Sequence, residues 1–372
     1  MIRKVYKDLI IAKCLNDGPL WLLKRCRQYM LLLLSARLKR PLCGPALGTL
    51  MVTYRCNLRC TMCDMPGKAD CYHKSGEKEF STERFKELIR EFAELGTPGI
   101  GFTGGEPLLR EDIFELMAET RRQGMIAHLN TNGWLLDDTC AHRLIESGVD
   151  SVNISLDGAT ADTHDRIRAR SGAFDHAIAA VERLVRLKKT HNSPIRIKTV
   201  AVISETNIGE VPEMLALGRK LGISCVELIP RQPFTGQPGN ACGNRDLLEK
   251  VDRLVGLLTS KEYAEVPLEN SPAHVRLFHA SFAGLPSPVP CRAGYNSLAV
   301  DCYGNLFPCV PWINWGRTTG SIVNDSLSRI WNSHAYQTHR ETTGLCRDCY
   351  LNCQTELNLL FHIQRSGTRI SP

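Results

Sequence analysis

Between residues 46 and 235, short apolar runs alternate with stretches whose apolar positions recur every three or four residues. Residues 50–54, 99–103, 126–130, 151–156, 195–203 and 226–229 are the runs, and each reads as a strand. Helical spacing fills the gaps. Phe85, Leu88, Ile89, Phe92 and Leu95 share one face, with Ser81 as N-cap, Phe80 and Phe85 as a hydrophobic staple and Gly96 as the stop. Further helices are expected from residue 112 to Gly124, over 137–147, over 173–189, and up to Gly222. Strict β–α alternation predicts a parallel sheet with helices outside and ligands at the C-terminal ends of the strands.

Outside this block the pattern changes. Residues 1–45 carry apolar runs at 20–23 and 30–34, interspersed with Lys4, Lys7, Lys13, Lys24, Arg25, Arg27, Arg37, Lys39 and Arg40. The runs are too short and interrupted to cross a membrane. They predict a basic helical extension, either packed on the barrel, which is the plainer reading, or lying on an anionic membrane surface. Residues 236–285 read as a linker with a helix over 246–260. Residues 286–358 form a small C-terminal unit with a hairpin that turns at Tyr303 and Gly304. Residues 359–372 are a tail.

Composition narrows the class. The 372 residues are 43% hydrophobic and 23% charged, which is ordinary for a globular protein. Part of the net charge of +7 sits in the N-terminal segment. No basic–aromatic interleaving occurs, so no nucleic-acid partner is expected. Sixteen cysteines without a clear secretory signal predict metal or cluster binding in a cytoplasmic, reducing compartment rather than disulfides. Cys14, Cys26, Cys43, Cys71, Cys140, Cys225 and Cys242 lack ligand spacing and read mostly as small buried hydrophobes.

The chemistry concentrates after the first strand. Cys56, Cys60 and Cys63 stand at a C-x3-C-x2-C spacing on the loop at its C-terminal end. Thiolates select iron–sulfur clusters, zinc or copper(I). A cubane cluster normally takes four cysteines, so three leave one iron open. Gly104-Gly105-Glu106-Pro107 follows the second strand. Its glycines let backbone come close to a ligand, and its carboxylate suits an ammonium group. Asn130-Thr131-Asn132-Gly133 ends the third strand. Ser155-Leu156-Asp157-Gly158 ends the fourth, followed by His164-Asp165-Arg166-Ile167-Arg168. Glu227 and Arg231, at the end of the sixth, are placed to reach the same pocket.

These motifs resemble the radical S-adenosylmethionine (SAM) enzymes. The resemblance implies a partial (β/α)6 TIM-like barrel in which Cys56, Cys60 and Cys63 hold a [4Fe–4S] cluster. Its open iron chelates SAM, and an electron cleaves SAM to methionine and a 5′-deoxyadenosyl radical that takes hydrogen from substrate. Gly104, Gly105, Glu106, Asn132, Ser155, Asp157 and Arg168 are then expected to line the SAM pocket. Met62 occupies the position that stacks on adenine in many members. A small reductant protein, flavodoxin or ferredoxin, is the expected electron donor.

The C-terminal cysteines add a second pattern. Cys291 and Cys309 bracket the hairpin as C-x12-G-x4-C, and Cys346, Cys349 and Cys353 follow as C-x2-C-x3-C. Four of these thiolates suit one cluster, and zinc would accept the same ligands. The spacing resembles the SPASM and twitch extensions of radical SAM enzymes, which implies one auxiliary [4Fe–4S] cluster with Cys353 as an alternative ligand. The expected activity is peptide or protein modification. Radical oxidation or rearrangement of a small molecule or lipid-linked precursor is the alternative, and a non-catalytic, metal-stabilised binding protein is a third.

Overall fold

The computed structural model describes residues 18–231, 244–260 and 268–361. Six parallel strands form in the expected order: β1 (Leu47–Thr53), β2 (Gly99–Gly104), β3 (Ile126–Thr131), β4 (Ser151–Ser155), β5 (Arg196–Ile203) and β6 (Cys225–Pro230). Their boundaries fall where local chemistry puts them. Ser81 Oγ accepts from Arg84 N at the head of helix Thr82–Glu94, and the Phe80 and Phe85 rings meet edge-on at 5.8 Å. Gly96, Gly124, Gly148 and Gly222 all take positive φ just past a helix.

The C-terminal hairpin, β7 (Ser297–Asp301) and β8 (Asn305–Phe307), joins this sheet directly. β7 runs parallel to β1 on the side away from β2, with Leu50 opposite Val300. The short β9 (Gly320–Ser321) completes one nine-stranded sheet, β6-β5-β4-β3-β2-β1-β7-β8-β9. The auxiliary-cysteine region and the barrel therefore share a sheet, and they share one hydrophobic core running from Leu50 to Tyr336.

Helices cover the outer face. Phe85, Leu88, Ile89 and Phe92 on helix Thr82–Glu94 and Ala177, Val181 and Leu184 on helix Ala173–Thr190 are completely buried. Two helices had no strong apolar period to announce them. Met65–Ser75 buries only Met65, and Ala161–Arg168 is polar throughout most of its length. The N-terminal extension is a helix, Pro19–Leu38, and no described helix is long and apolar enough to cross a membrane. Most of the linker's Gly/Pro stretch lies outside the described residues.

The inner face of the sheet is polar. Strand alternation aligns His128 with Ser151, Asn130 with Asn153, Asn153 with Lys198 and Lys198 with Cys225 across neighbouring strands. The lumen is thus lined by hydrogen-bonding groups, whereas the alternate positions pack Val152, Ile154, Ile197 and Leu228 outward.

Candidate active site

The first cysteine loop is held by three neighbours. Thr61 donates its backbone N–H and its hydroxyl to the Ile167 carbonyl, at 2.9 and 3.2 Å. Asn132 Nδ2 donates to Asn57 Oδ1 at 2.8 Å and approaches Cys56 Sγ at 4.0 Å. Arg170 donates to the Asn57 carbonyl at 2.6 Å while its guanidinium lies over Trp134, 3.7 Å from the ring centroid. Leu58 N–H points at Cys56 Sγ from 3.4 Å. Burial pushes the Cys56 thiol up to about 11, against that N–H, and the charges of Glu106, Cys60 and Cys63 push the same way. Cys60 also pushes Cys63 up, after its burial, and a cation that binds the thiolates relieves this repulsion. The loop fits an iron–sulfur cluster on that ground.

Gly104 and Gly105 do make a close approach, but to the chain itself. Gly105 N and Glu106 N donate to the Thr53 and Arg55 carbonyls, both at 2.8 Å. A Cβ on Gly104, whose φ is +141°, would stand 2.2 Å from Thr53 O, and one on Gly105 would stand 2.1 Å from Arg55 O. The glycines seat the second loop on the backbone that leads into Cys56.

Glu106 is buried, and both carboxylate oxygens are engaged. Oε1 accepts from Leu108 N and Thr131 Oγ1, and Oε2 accepts from Asn132 N. Burial raises its pKa against these three donors and the charge of Arg168. Glu106 thus ties the loops after β1, β2 and β3 into one frame.

Asp157 and Arg168 form a buried ion pair, Oδ2 to Nε, at 2.6 Å, and Arg168 also reaches Cys60 Sγ at 3.7 Å. Asp157 Oδ1 accepts from Val202 N at 2.7 Å, and its own N–H donates to His164 Nδ1 at 3.0 Å. The pair is interior rather than on the surface. Ser155 is half-buried at the end of β4. The expected residues of the first site therefore converge. Cys56, Cys60, Cys63, Glu106, Asn132, Asp157 and Arg168 are joined through one another, with Gly104 and Gly105 beneath them.

The auxiliary thiols also converge. Cys291 shares a hydrogen bond with Cys346 and feels the charges of Cys309 and Cys349. That bond holds Cys346 below the usual thiol range, while burial pushes Cys349 up to about 12. Cys309 is influenced by Cys349, Cys346 and Cys353. Among the described residues no His, Cys, Asp or Glu side chains group as ligands of a single metal ion. Cys291, Cys309, Cys346, Cys349 and Cys353 lie within electrostatic reach of one another, a set of thiols that suits a cluster.

Arg340 and Lys198, which the sequence does not single out, and Glu227, which it places near the pocket, organise this half. Arg340 is buried and donates to the Gly294 and Trp331 carbonyls at 2.8 and 2.5 Å, fixing the turn after Cys291. Its guanidinium lies 4.5 Å from the Trp331 ring and 4.6 Å from Tyr336. Glu227 accepts from Asn153 at 2.9 Å and from Asn352 at 2.6 Å, so it links the lumen to the residue beside Cys353. Lys198 pairs with Glu269 at 3.0 Å and approaches Glu227 at 3.8 Å. Inward alternation at Arg196–Lys198 and Cys225–Glu227 was the available signal. Between the two cysteine sites, Tyr54 donates to Asp301 Oδ2 at 2.8 Å, and Tyr72 and Tyr303 stack at 4.0 Å.

The family models agree with this geometry. The radical SAM superfamily model matches residues 50–217, and the SPASM iron–sulfur cluster-binding domain matches residues 291–350. An AdoMet-dependent heme synthase of Methanosarcina barkeri is 34% identical over 82% of this chain and 88% of its own. A PqqA peptide cyclase of Gluconobacter oxydans is 29% identical over 80% of each chain. The mycofactocin maturase MftC of Mycolicibacterium smegmatis is 27% identical over 85% of this chain and 78% of its own. Streptococcus suis SuiB, solved with its precursor peptide SuiA, superposes with a TM-score of 0.65 at 15% identity, covering 90% of this chain and 78% of SuiB. This likeness is one of fold. The chain belongs to the radical SAM superfamily and carries a SPASM domain. It is a radical SAM enzyme with a SAM-binding [4Fe–4S] cluster and an auxiliary iron–sulfur cluster.

Proposed function

We propose that this enzyme modifies a peptide or protein side chain. Cys56, Cys60 and Cys63 hold the SAM-binding cluster, which supplies the electron that cleaves SAM. Asn132 and Ser155 would line the pocket that holds SAM. Gly104, Gly105, Glu106, Asp157 and Arg168 would form the rigid frame of that pocket. Cys291, Cys309, Cys346 and Cys349 hold the auxiliary cluster, with Cys353 beside them. Electrons arrive from a small flavodoxin or ferredoxin in the cytoplasm.

The observation that carries this reading is the polar lumen in a sheet that is not closed. β6 lies at one end and β9 at the other. Asn153, Lys198 and Glu227 offer donors and acceptors of the kind that peptide groups need. The PqqA cyclase and MftC relatives support the same substrate class. The heme synthase relative favours a second reading, in which the substrate is a porphyrin-like small molecule.

The test is anaerobic turnover with SAM and dithionite on a panel of short synthetic peptides, and in parallel on iron coproporphyrin, read by mass spectrometry. Loss of hydrogen from a peptide supports the proposal. Conversion of the porphyrin alone transfers the enzyme to the second reading.

A further inference from the structure

Helix Pro19–Leu38 has two unlike faces. On the inner face, Gln28 donates to the Gly96 carbonyl at 3.0 Å, Leu32 is buried, and Ser35 Oγ accepts from Leu42 N at 2.9 Å. On the outer face, Leu23 is 65% exposed, Met30 55%, Leu34 40% and Leu38 62%. At about 100° per residue these four fall within about 80° of arc on the helix surface. Arg27 is exposed within the same sector, and Lys24, Arg37, Lys39 and Arg40 are exposed near its margins and ends.

The charge around this stripe has one sign. From Gly18 to Cys63 the sequence contains no Asp or Glu. As described, the helix is not long and apolar enough to cross a membrane. An exposed apolar stripe edged only by cations matches an anionic lipid surface. Headgroup phosphates pair with Arg and Lys there while the aliphatic side chains enter the acyl boundary. A second copy is a poorer match, because self-association would bring Arg27 and Arg37 against the same cations with no acid on the helix to offset them.

We propose that helix Pro19–Leu38 is a peripheral anchor that lays Leu23, Met30, Leu34 and Leu38 on an anionic bilayer, with Gln28 and Leu32 joining it to the barrel. The inference is independent of the substrate reading. The attachment brings the barrel to the membrane without inserting it.

The test uses the reconstituted full chain in co-sedimentation with vesicles of phosphatidylcholine alone and of phosphatidylcholine with phosphatidylglycerol. Light scattering gives the oligomeric state. Binding is expected to be at least tenfold tighter to the anionic vesicles and to weaken as salt rises. Leu23→Asp/Met30→Asp/Leu34→Asp is expected to lower that binding at least tenfold with iron content and 5′-deoxyadenosine formation unchanged. Arg27→Gln/Arg37→Gln, which leaves the apolar stripe in place, is expected to weaken it several-fold. No sedimentation with either vesicle, or equal binding to both, overturns the proposal. A dimer that the triple variant dissociates in the absence of lipid also overturns it and assigns the face to a second copy.

Discussion

Arg168 meets Asp157 at 2.6 Å in the interior and turns its other guanidinium nitrogen to Cys60 Sγ, 3.7 Å away. One side chain thus joins the end of β4 to the cysteine loop after β1. Separating a buried pair by removing one partner costs about 3–5 kcal/mol, because the remaining charge stays buried. Arg168→Gln is therefore expected to lower stability by about that amount and to abolish 5′-deoxyadenosine formation. Arg168→Lys recovers stability only in part, since a point charge replaces a planar fork. Chemical denaturation and product assay check both.

Gly105→Ala is predicted to damage one cluster selectively. Its Cβ would stand 2.1 Å from the Arg55 carbonyl, next to Cys56. Iron counting should fall from about eight to about four per chain, the auxiliary cluster being retained. Arg340→Ala should do the converse, because the turn after Cys291 loses the buried hydrogen bond at Gly294, and its tie to Trp331, while the first loop is untouched. Electron paramagnetic resonance on the two variants distinguishes the surviving clusters.

Glu227→Leu is predicted to separate SAM cleavage from substrate turnover. The change removes the acceptor for Asn153 and Asn352 and one of the two carboxylates near Lys198. Substrate product should fall at least tenfold while 5′-deoxyadenosine continues to form. The ratio of the two, by liquid chromatography, is the readout.

Buried His164 and half-buried His128 are expected to make the fold acid-sensitive. Burial and the charge of Lys198 lower His128 to about 3, and burial and Arg168 lower His164 to about 4. An unfolded histidine titrates near 6.5. Between about pH 6.5 and 4 the unfolded chain therefore binds more protons than the folded one, so stability falls as pH falls through that window. His164→Asn, which can still accept from Asp157 N–H, should flatten the dependence. Denaturation midpoints from pH 7 to 4 measure it.

Much of this arrangement was legible in the chain. Ser81, Gly96 and Gly222 mark helix ends by local chemistry, and the C-x3-C-x2-C and GGEP elements mark the site by spacing. The parallel pairing of β7 with β1 was not legible, because nothing local records that residues 297 and 47 will be neighbours. Helix Met65–Ser75 escaped because its sequence has no apolar stripe to read. Glu106 reads as a ligand carboxylate from its motif, whereas two of its three donors come from the end of β3 and only the folded chain shows them. Lys198 and Glu269 pair across the lumen from segments 71 residues apart, and Arg340 looks like any helical arginine until Trp331 and Tyr336 enclose it.

The most direct measurement is iron and sulfide counting after anaerobic reconstitution, with 5′-deoxyadenosine assayed on addition of SAM and dithionite. Wild type should hold about eight irons and Cys56→Ala/Cys60→Ala/Cys63→Ala about four, with 5′-deoxyadenosine from wild type alone. Retention of SAM cleavage by the triple variant, or a variant iron content equal to that of wild type, would contradict the assignment of the reducing cluster to this loop.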